Sequence, residues 1–108
     1  MQLTETIWSE AEKQTADSAF QLAYSRETNA LIEQIRRQAS SLTAVDDLWR
    51  LHDYLSARRH ELDGKYDNRY PTLIFVFAQL LKEGWLSVED IQGLSAEKLT
   101  KISALAKM

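Results

Sequence analysis

His52 and Arg59 are the two side chains whose spacing points most directly to chemistry. They lie seven residues apart, which is close to two turns of an α-helix, so on a helix they would face the same way. The stripe that they share is otherwise apolar, and polar groups in such a stripe have two interpretations. They can be buried groups that fix helix register and oligomeric state, or they can belong to a surface that recognises a partner.

The adjacent stripe of the same helix carries Trp49 and Asp53. An indole beside a guanidinium and a carboxylate is the composition of a protein–protein hot spot. On a helix, Trp49, His52, Asp53 and Arg59 would share a face about 10 to 15 Å long. This composition keeps a recognition role open beside the structural one.

His60 offers two further kinds of chemistry, metal binding and phosphotransfer. The chain has two histidines in all and no HExxH spacing, which argues against a metal site. The string HELDG at residues 60–64 partly matches the His-x-Leu-Lys-Gly string of histidine phosphotransfer domains. Asp63 stands in place of the lysine, however, and with Glu61 it puts negative charge beside any phosphoryl group. We expect no enzymatic activity, no metal and no cofactor, with a phosphotransfer domain as the alternative.

Composition narrows the choice of partner and location. With 13 basic and 16 acidic residues and a net charge of −3, the chain has no bulk field for a polyphosphate, so we expect no nucleic acid and a protein partner instead. The longest apolar stretch, at residues 73–81, is about half the length that a bilayer-spanning helix needs. The first eight residues lack the pattern of a signal peptide. We therefore expect a cytoplasmic protein without an integral membrane segment, in which any peripheral attachment to a membrane runs through protein contacts.

The elements that would position these residues are all helices. Three glycines, one proline and no cysteine in 108 residues predict a single all-α domain without disulfides. A first helix begins after a capping box of Ser9 and Glu12 and runs to about Ser40. Its apolar residues follow steps of three and four and form a narrow seam, in which Glu27 and Gln38 occupy two of the positions. The seam residues are Phe20, Tyr24, Leu31, Ile35 and Leu42.

The second helix is predicted to begin at a cap on Thr43 or Asp46 and to end at a break over residues 66–71, before Pro71. Its seam follows heptad spacing and consists of Val45, Leu48, His52, Leu55, Arg59, Leu62 and Tyr66. Two helices of roughly 25 to 30 residues would each be about 37 to 45 Å long, longer than a compact chain of this size is wide. They must therefore protrude or pack against a second chain.

The rest of the chain predicts a small helical head. A third helix from about Thr72 to Lys82 is apolar on most sides and should be the most buried element, ended by Gly84. Short helices follow at about 87–92 and 95–107, and Leu99, Ile102 and Leu105 complete the core. The expected division is a helical stalk at about 9–66 and a helical head at about 70–108.

Two strings in this sequence resemble the cyanobacterial fluorescence recovery protein family. The first, DDLWRLHDYLSARRHELDGKYD at residues 46–67, is long and specific. The second, IFVFAQLLKEG at residues 74–84, looks like the head helix of that family. The resemblance covers the chain from about Trp8 onward and is weakest in the first helix and around residues 70–72.

The resemblance implies a non-enzymatic regulator of photoprotection. Members of this family bind the light-activated red form of the orange carotenoid protein, mainly on its C-terminal domain, speed its return to the orange form, and help to detach it from the phycobilisome. It also implies all-α homodimers, in which long antiparallel helices form a stalk flanked by small heads. A paralogue of the same fold that serves another protein partner is a further alternative.

Carried over to matching positions, the family's partner-binding residues would be Trp49, His52, Asp53 and Arg59 on the second helix, with Phe75 and Lys101 on the head. The resemblance also places Leu48 in the dimer contact. Together with the heptad seam, it predicts a homodimer interface formed by Val45, Leu48, Trp49, His52, Leu55 and Leu62.

Overall fold

The computed structural model describes residues 7–108, and every regular element in that range is a helix. The all-α prediction is therefore confirmed. The described part is elongated, with extents of 58 × 27 × 25 Å. The elements in chain order are α1 (Glu10–Ala39), α2 (Val45–Lys65), α3 (Tyr70–Glu83), a 3-10 helix (Val88–Ile91) and α4 (Ala96–Ala106).

The first helix begins as the capping box predicts. The Ser9 hydroxyl accepts a hydrogen bond from the Glu12 N–H at 3.1 Å, and the Ser9 N–H donates to Glu12 Oε1 at 3.0 Å. These two bonds satisfy backbone groups that the first turn leaves without helical partners. The end of α3 is also as predicted, because Gly84 adopts a left-handed conformation with φ of 87° that glycine accepts without strain.

Two predicted helix starts were wrong by one to two residues. The N-cap of α2 is Ala44, not Thr43 or Asp46, because the Asp47 carboxylate accepts from the N–H groups of both Thr43 and Ala44 at 3.2 Å. Asp47 thus supplies the reciprocal half of a capping box, in which the third helical residue bonds the N-cap N–H, although Ala44 has no capping side chain of its own. Helix α3 begins at Tyr70 and not at Thr72, because Pro71 in the first turn has no N–H whose helical bond could be lost.

The hydrophobic core lies between α3, α4 and the N-terminal half of α1. As predicted, α3 contributes the most buried side chains, and Ile102 of α4 is fully buried. From α1 the core takes Ala16, Ala19 and Ala23, none more than 1% exposed. Small side chains at this spacing let a long helix lie close to its neighbours. The seam predicted for α1 lies beside this alanine face, and its Tyr24 is 43% exposed.

Helices α1 and α2 form an antiparallel hairpin, because residues early in α2 contact residues late in α1. The Tyr54 hydroxyl donates to Gln34 Oε1 at 3.1 Å, whereas Arg58, farther along α2, lies 3.2 Å from Glu27. Since the N-terminal half of α1 belongs to the core of α3 and α4, this one helix runs through both parts of the molecule. The division into a stalk at 9–66 and a head at 70–108 stays a prediction.

A buried ion pair closes the head. The Lys98 ammonium lies 3.0 Å from Glu12 Oε2, donates to the Ile7 carbonyl at 2.6 Å, and stands 4.8 Å from the centre of the Trp8 ring. The Ser95 N–H donates to the same carboxylate at 2.9 Å. The Ser9 N–H above all, and then Lys98 and Ser95, outweigh the effect of burial and lower the pKa of Glu12 from 4.5 to about 2.

Replacing Gly93 by alanine should destabilise the head. A Cβ at Gly93 would overlap Thr15 Oγ1 and stand only 3.0 Å from Thr15 Cβ, so the Thr15 side chain would have to leave its rotamer and α1 would have to shift. We expect a loss of about 1 to 3 kcal/mol in unfolding free energy. Urea unfolding at one fixed protein concentration measures this. Gly64→Ala is the matched control, because nothing lies within 4 Å of a Cβ there. Adding Thr15→Ala should recover most of the loss, and a Gly93→Ala protein as stable as the wild type would refute the close approach.

Acid should weaken the fold through Glu12. Its folded pKa of about 2 lies below the ordinary 4.5, so its contribution to stability is complete above pH 4.5 and is lost as the pH falls through about 2. Glu12→Gln should be about 3 kcal/mol less stable near pH 7, because Lys98 loses its counter-charge, and should show a shallower loss of stability between pH 4.5 and 2. Urea unfolding across this range provides the measurement. The control is Glu10→Gln, whose side chain is 90% exposed, and equal pH slopes for Glu12→Gln and the wild type would contradict the assignment.

Candidate protein-docking surface

From Val45 to Arg59 the heptad seam of α2 does not pack against α1, whereas Tyr66 at its end packs edge to face on two aromatic rings of α1. Arg58 points to α1, where its side chain is 23% exposed, whereas the next residue, Arg59, is 84% exposed. Successive residues of a helix point about 100° apart, so the stripe that includes Arg59 must face sideways when Arg58 faces α1. Within the described chain, the seam from Val45 to Arg59 is therefore open, and Leu62 near the end of α2 is its one buried apolar member.

Both predicted seams border one open groove. It has a volume of about 570 Å³, and α1 lines one side of it with Tyr24 and Leu31. Apolar and charged residues of α2 line the other side. These are His52, Leu55, Ser56, Arg59, Leu62 and Asp63. The exposed apolar side chains on this part of α2 continue toward its N-terminus with Leu48 and Val45, which are 45% and 62% exposed. We call the groove together with Val45, Leu48, Trp49 and Asp53 the docking surface.

The four residues singled out on the second helix all lie on exposed parts of α2. The Trp49 and His52 rings meet edge to face with centroids 6.4 Å apart. His52 Nδ1 lies 3.2 Å from Asp53 Oδ1, and Arg59 Nε lies 3.8 Å from Asp63 Oδ2. With His52 69% exposed and Arg59 84% exposed, neither polar side chain is buried within the described chain. Both are available to a partner or to a second copy.

Phe75 and Lys101 lie on the head. Phe75 is 63% exposed, although α3 around it is the most buried helix of the fold. Lys101 is exposed on α4. The structure thus places these two residues on different helices from the Trp49 group, and a lone exposed phenylalanine on an apolar helix is a feature that a partner surface can use.

The opposite side of the hairpin contains a buried charge cluster that the sequence analysis did not identify. Glu27 is 2% exposed and accepts hydrogen bonds from Lys65 at 2.8 Å, from the Tyr66 hydroxyl at 2.7 Å and from Arg58 at 3.2 Å. Lys65 also lies 2.7 Å from Glu83 at the end of α3. Glu27 was recognised in the sequence only as an interruption of an apolar seam. A buried carboxylate needs cationic partners. An acidic residue in an apolar seam was therefore the feature of the sequence that could have indicated this cluster.

The cluster determines the ionisation of its members. Burial alone would raise the pKa of Glu27, but the hydrogen bonds from Lys65, Tyr66 and Arg58 outweigh burial and hold the pKa of the carboxyl below its usual value. Burial and the Glu27 carboxylate raise the pKa of the Tyr66 hydroxyl far above its usual value. Glu27 is therefore an anion and Tyr66 a neutral donor at neutral pH.

The described residues, 7–108, contain no group of three or more His, Cys, Asp or Glu side chains placed to hold a metal ion. In the same range, no helix has the length and apolarity to cross a membrane. His60 is exposed on α2. What the hairpin presents instead is an apolar and charged surface, which is suited to contact with proteins.

Comparison with known proteins agrees with this kind of surface. Residues 8–106 match the family described as photoprotection regulator fluorescence recovery protein. Over 108 residues, the chain is 53% identical to the fluorescence recovery protein of Synechocystis, covering 100% of this chain and 99% of that protein.

Two solved structures of fluorescence recovery proteins superpose closely on the chain. The protein from Synechocystis aligns with a TM-score of 0.91 at 54% identity, covering 94% of this chain and 100% of the other. The protein from Fremyella diplosiphon aligns with a TM-score of 0.91 at 52% identity, with the same coverage. No comparison gives support to a phosphotransfer domain. The chain belongs to the fluorescence recovery protein family of photoprotection regulators.

Proposed function

We propose that the protein binds the photoactivated red form of the orange carotenoid protein, chiefly on its C-terminal domain, through the polar part of the docking surface around Trp49 and Arg59. Binding accelerates the return to the orange form and promotes detachment from the phycobilisome, which restores antenna fluorescence. The observation that carries the proposal is the exposed side of α2, where Trp49, His52, Asp53 and Arg59 stand beside open apolar side chains. Membership in a family of photoprotection regulators supports it.

Acceleration requires a particular kind of binding. A regulator that bound only the red form tightly would stabilise that form and slow its decay. The protein must instead bind the transition state of the reversion, or an intermediate near it, more tightly than the red form. Arg59 and Asp53 would make charge-assisted contacts with the partner, and the Trp49 indole would supply an apolar anchor. No covalent step is needed.

The same surface supports a homodimer. Leu48 is 45% exposed, Leu55 is 40% exposed and Trp49 is 56% exposed in a single chain. A heptad stripe of this kind is stable in water when a second helix covers it. We propose that two copies pair through Val45, Leu48, Trp49, His52, Leu55 and Leu62, so that the hairpins form a stalk with a head at each end. Phe75 and Lys101 on the head would add further contacts to the carotenoid protein.

Leu48→Glu should convert the dimer to a monomer, because the new carboxylate would be desolvated in the interface without a partner. Sedimentation velocity measures the change. Val88→Glu is the matched control: Val88 is also an apolar side chain, 44% exposed, but it lies in the 3-10 helix of the head, so this variant should remain a dimer. An intact dimer of Leu48→Glu, with far-ultraviolet circular dichroism equal to the wild type, would refute the interface.

Arg59→Leu and Asp53→Leu should each reduce the acceleration of recovery by about tenfold while leaving the protein folded, since a hot-spot residue contributes roughly 1.4 kcal/mol or more. The measurement is the loss of red absorbance in the dark after photoactivation, with and without the protein. Arg36→Leu is the control, because Arg36 is 72% exposed but lies on α1 outside the docking surface. Wild-type rates for both Arg59→Leu and Asp53→Leu would show that the surface is misassigned, and no effect of the wild-type protein would refute the proposed function itself.

A further inference from the structure

The base of α2 is fastened to two other helices by a single buried cluster. Glu27 of α1 uses both carboxylate oxygens, with Tyr66 on Oε1 at 2.7 Å and Arg58 on Oε2 at 3.2 Å. The Lys65 ammonium lies within 2.8 Å of both oxygens and 2.7 Å from Glu83. The Lys65 ammonium, with the carboxylates of Glu27 and Glu83, therefore joins α1, α2 and the end of α3. We call Glu27, Arg58, Lys65, Tyr66 and Glu83 the clamp.

Few other polar contacts fasten α2 along its length. Among residues 7–108, the side-chain hydrogen bonds that join α2 to α1 are those of the clamp and the bond from Tyr54 to Gln34. The link from α2 to α3 is short and makes its own local bonds, such as the pair of Arg69 with Asp67 at 2.6 Å. In the part of the chain that the structure describes, only the clamp holds the base of α2 to both of its neighbouring helices by charge.

The two parts of the proposed partner surface lie on opposite sides of the clamp in the chain. Trp49 and Arg59 are on α2, before Lys65, and the exposed Phe75 is on α3, just after the link. Helix α1 is fixed to the head because its alanine face is buried there. The orientation of α2 relative to Phe75 therefore depends on how firmly α2 is held to α1 and α3.

We propose that Glu27 and Lys65 are positioning residues, which hold α2 in a fixed orientation so that Arg59 and Phe75 contact one partner molecule at the same time. The proposal rests on the proposed function for the identity of that partner. The structural part of the proposal, which is the fixed orientation of α2, rests on the geometry of the clamp alone. If α2 and the head are already fixed relative to each other, binding does not have to pay the conformational entropy of ordering them.

The orientation of α2 can be measured without the partner. The sequence has no cysteine, so spin labels at Ala57→Cys on α2 and Glu97→Cys on α4, both exposed positions, give one intrachain distance when labelled protein is diluted with unlabelled protein. We expect a narrow distance distribution in the wild type, and a broader or shifted one in Lys65→Met and Glu27→Gln. Lys82→Met, which changes an exposed lysine of α3 outside the clamp, is the control. A Lys65→Met distribution that superimposes on the wild type would overturn the proposal.

The functional part is tested by a double-mutant cycle on the rate of recovery. With the clamp intact, the effects of Arg59→Leu and Phe75→Ala should be coupled, so that the double variant differs from the product of the single effects by about threefold or more. In the Lys65→Met background this coupling should fall to less than about 1.5-fold. A coupling that is unchanged by Lys65→Met would overturn the positioning role, since loss of stability alone lowers all the rates together.

A milder variant keeps both measurements decisive if Lys65→Met or Glu27→Gln folds poorly. Tyr66→Phe removes only the hydroxyl that bonds Glu27 and should change the label distance and the coupling in the same direction by a smaller amount. A wild-type protein that leaves the red absorbance unaffected would refute the proposed function, but the label distances would still decide whether the clamp orients α2.

Discussion

The neutralisation of the buried Glu27 carboxylate is the constraint on which the arrangement of the hairpin depends. An unpaired charge at a site only 2% exposed would cost several kcal/mol, so α2 must present cations to α1 at this point. Arg58 and Lys65 do so from positions seven residues apart. Because these two residues face α1, helical geometry turns the Arg59 stripe about 100° away from it. The docking surface is thus exposed as a consequence of the same pairing that closes the hairpin.

A second buried carboxylate, at the other end of the buried face of α1, also binds a cation from another helix. Glu12 pairs with Lys98 of α4, and the buried alanines of α1 lie between Glu12 and Glu27. Charge pairs therefore fix both ends of a face whose middle is held by close apolar contact. Each carboxylate stays ionised because hydrogen bonds to the charged form outweigh burial. Buried ion pairs of this kind specify one register of the helices more than they add stability. They suit a chain whose apolar stripe is left free, within one copy, for a second copy or a partner.

The features that could be predicted from sequence are those encoded locally. The Ser9 capping box, the Gly84 stop and the apolar composition of α3 each depend on a few adjacent residues. Heptad spacing placed Val45 to Arg59 on one stripe of α2, because spacing alone decides which residues share a helix face. It could not show that the last two seam residues, Leu62 and Tyr66, are covered within the chain. The family resemblance was confirmed by the comparisons.

Other features depend on contacts between distant residues, and these were missed. Spacing cannot tell whether α1 or a second molecule faces a stripe, so the sequence singled out Arg59 and gave no sign that Arg58 contacts α1. The partners of Glu27 lie more than 30 residues away along the chain, and alanines carry too weak a hydrophobic signal to mark the buried face of α1. The N-cap at Ala44 was missed because alanine has no capping side chain, and only the hydrogen bond from its N–H to Asp47 marks the position.

Site-specific photo-crosslinking tests the central claim, that the open side of α2 is the surface that contacts the partner. A benzophenone amino acid would replace Ser56, an exposed residue that lines the groove beside Arg59, in one variant. In another it would replace Arg37, an exposed residue of α1 on the other side of the hairpin. Each variant would be irradiated with the photoactivated orange carotenoid protein. We expect a crosslink to the carotenoid protein from position 56 and none from position 37. Crosslinks from position 37 alone would contradict the claim.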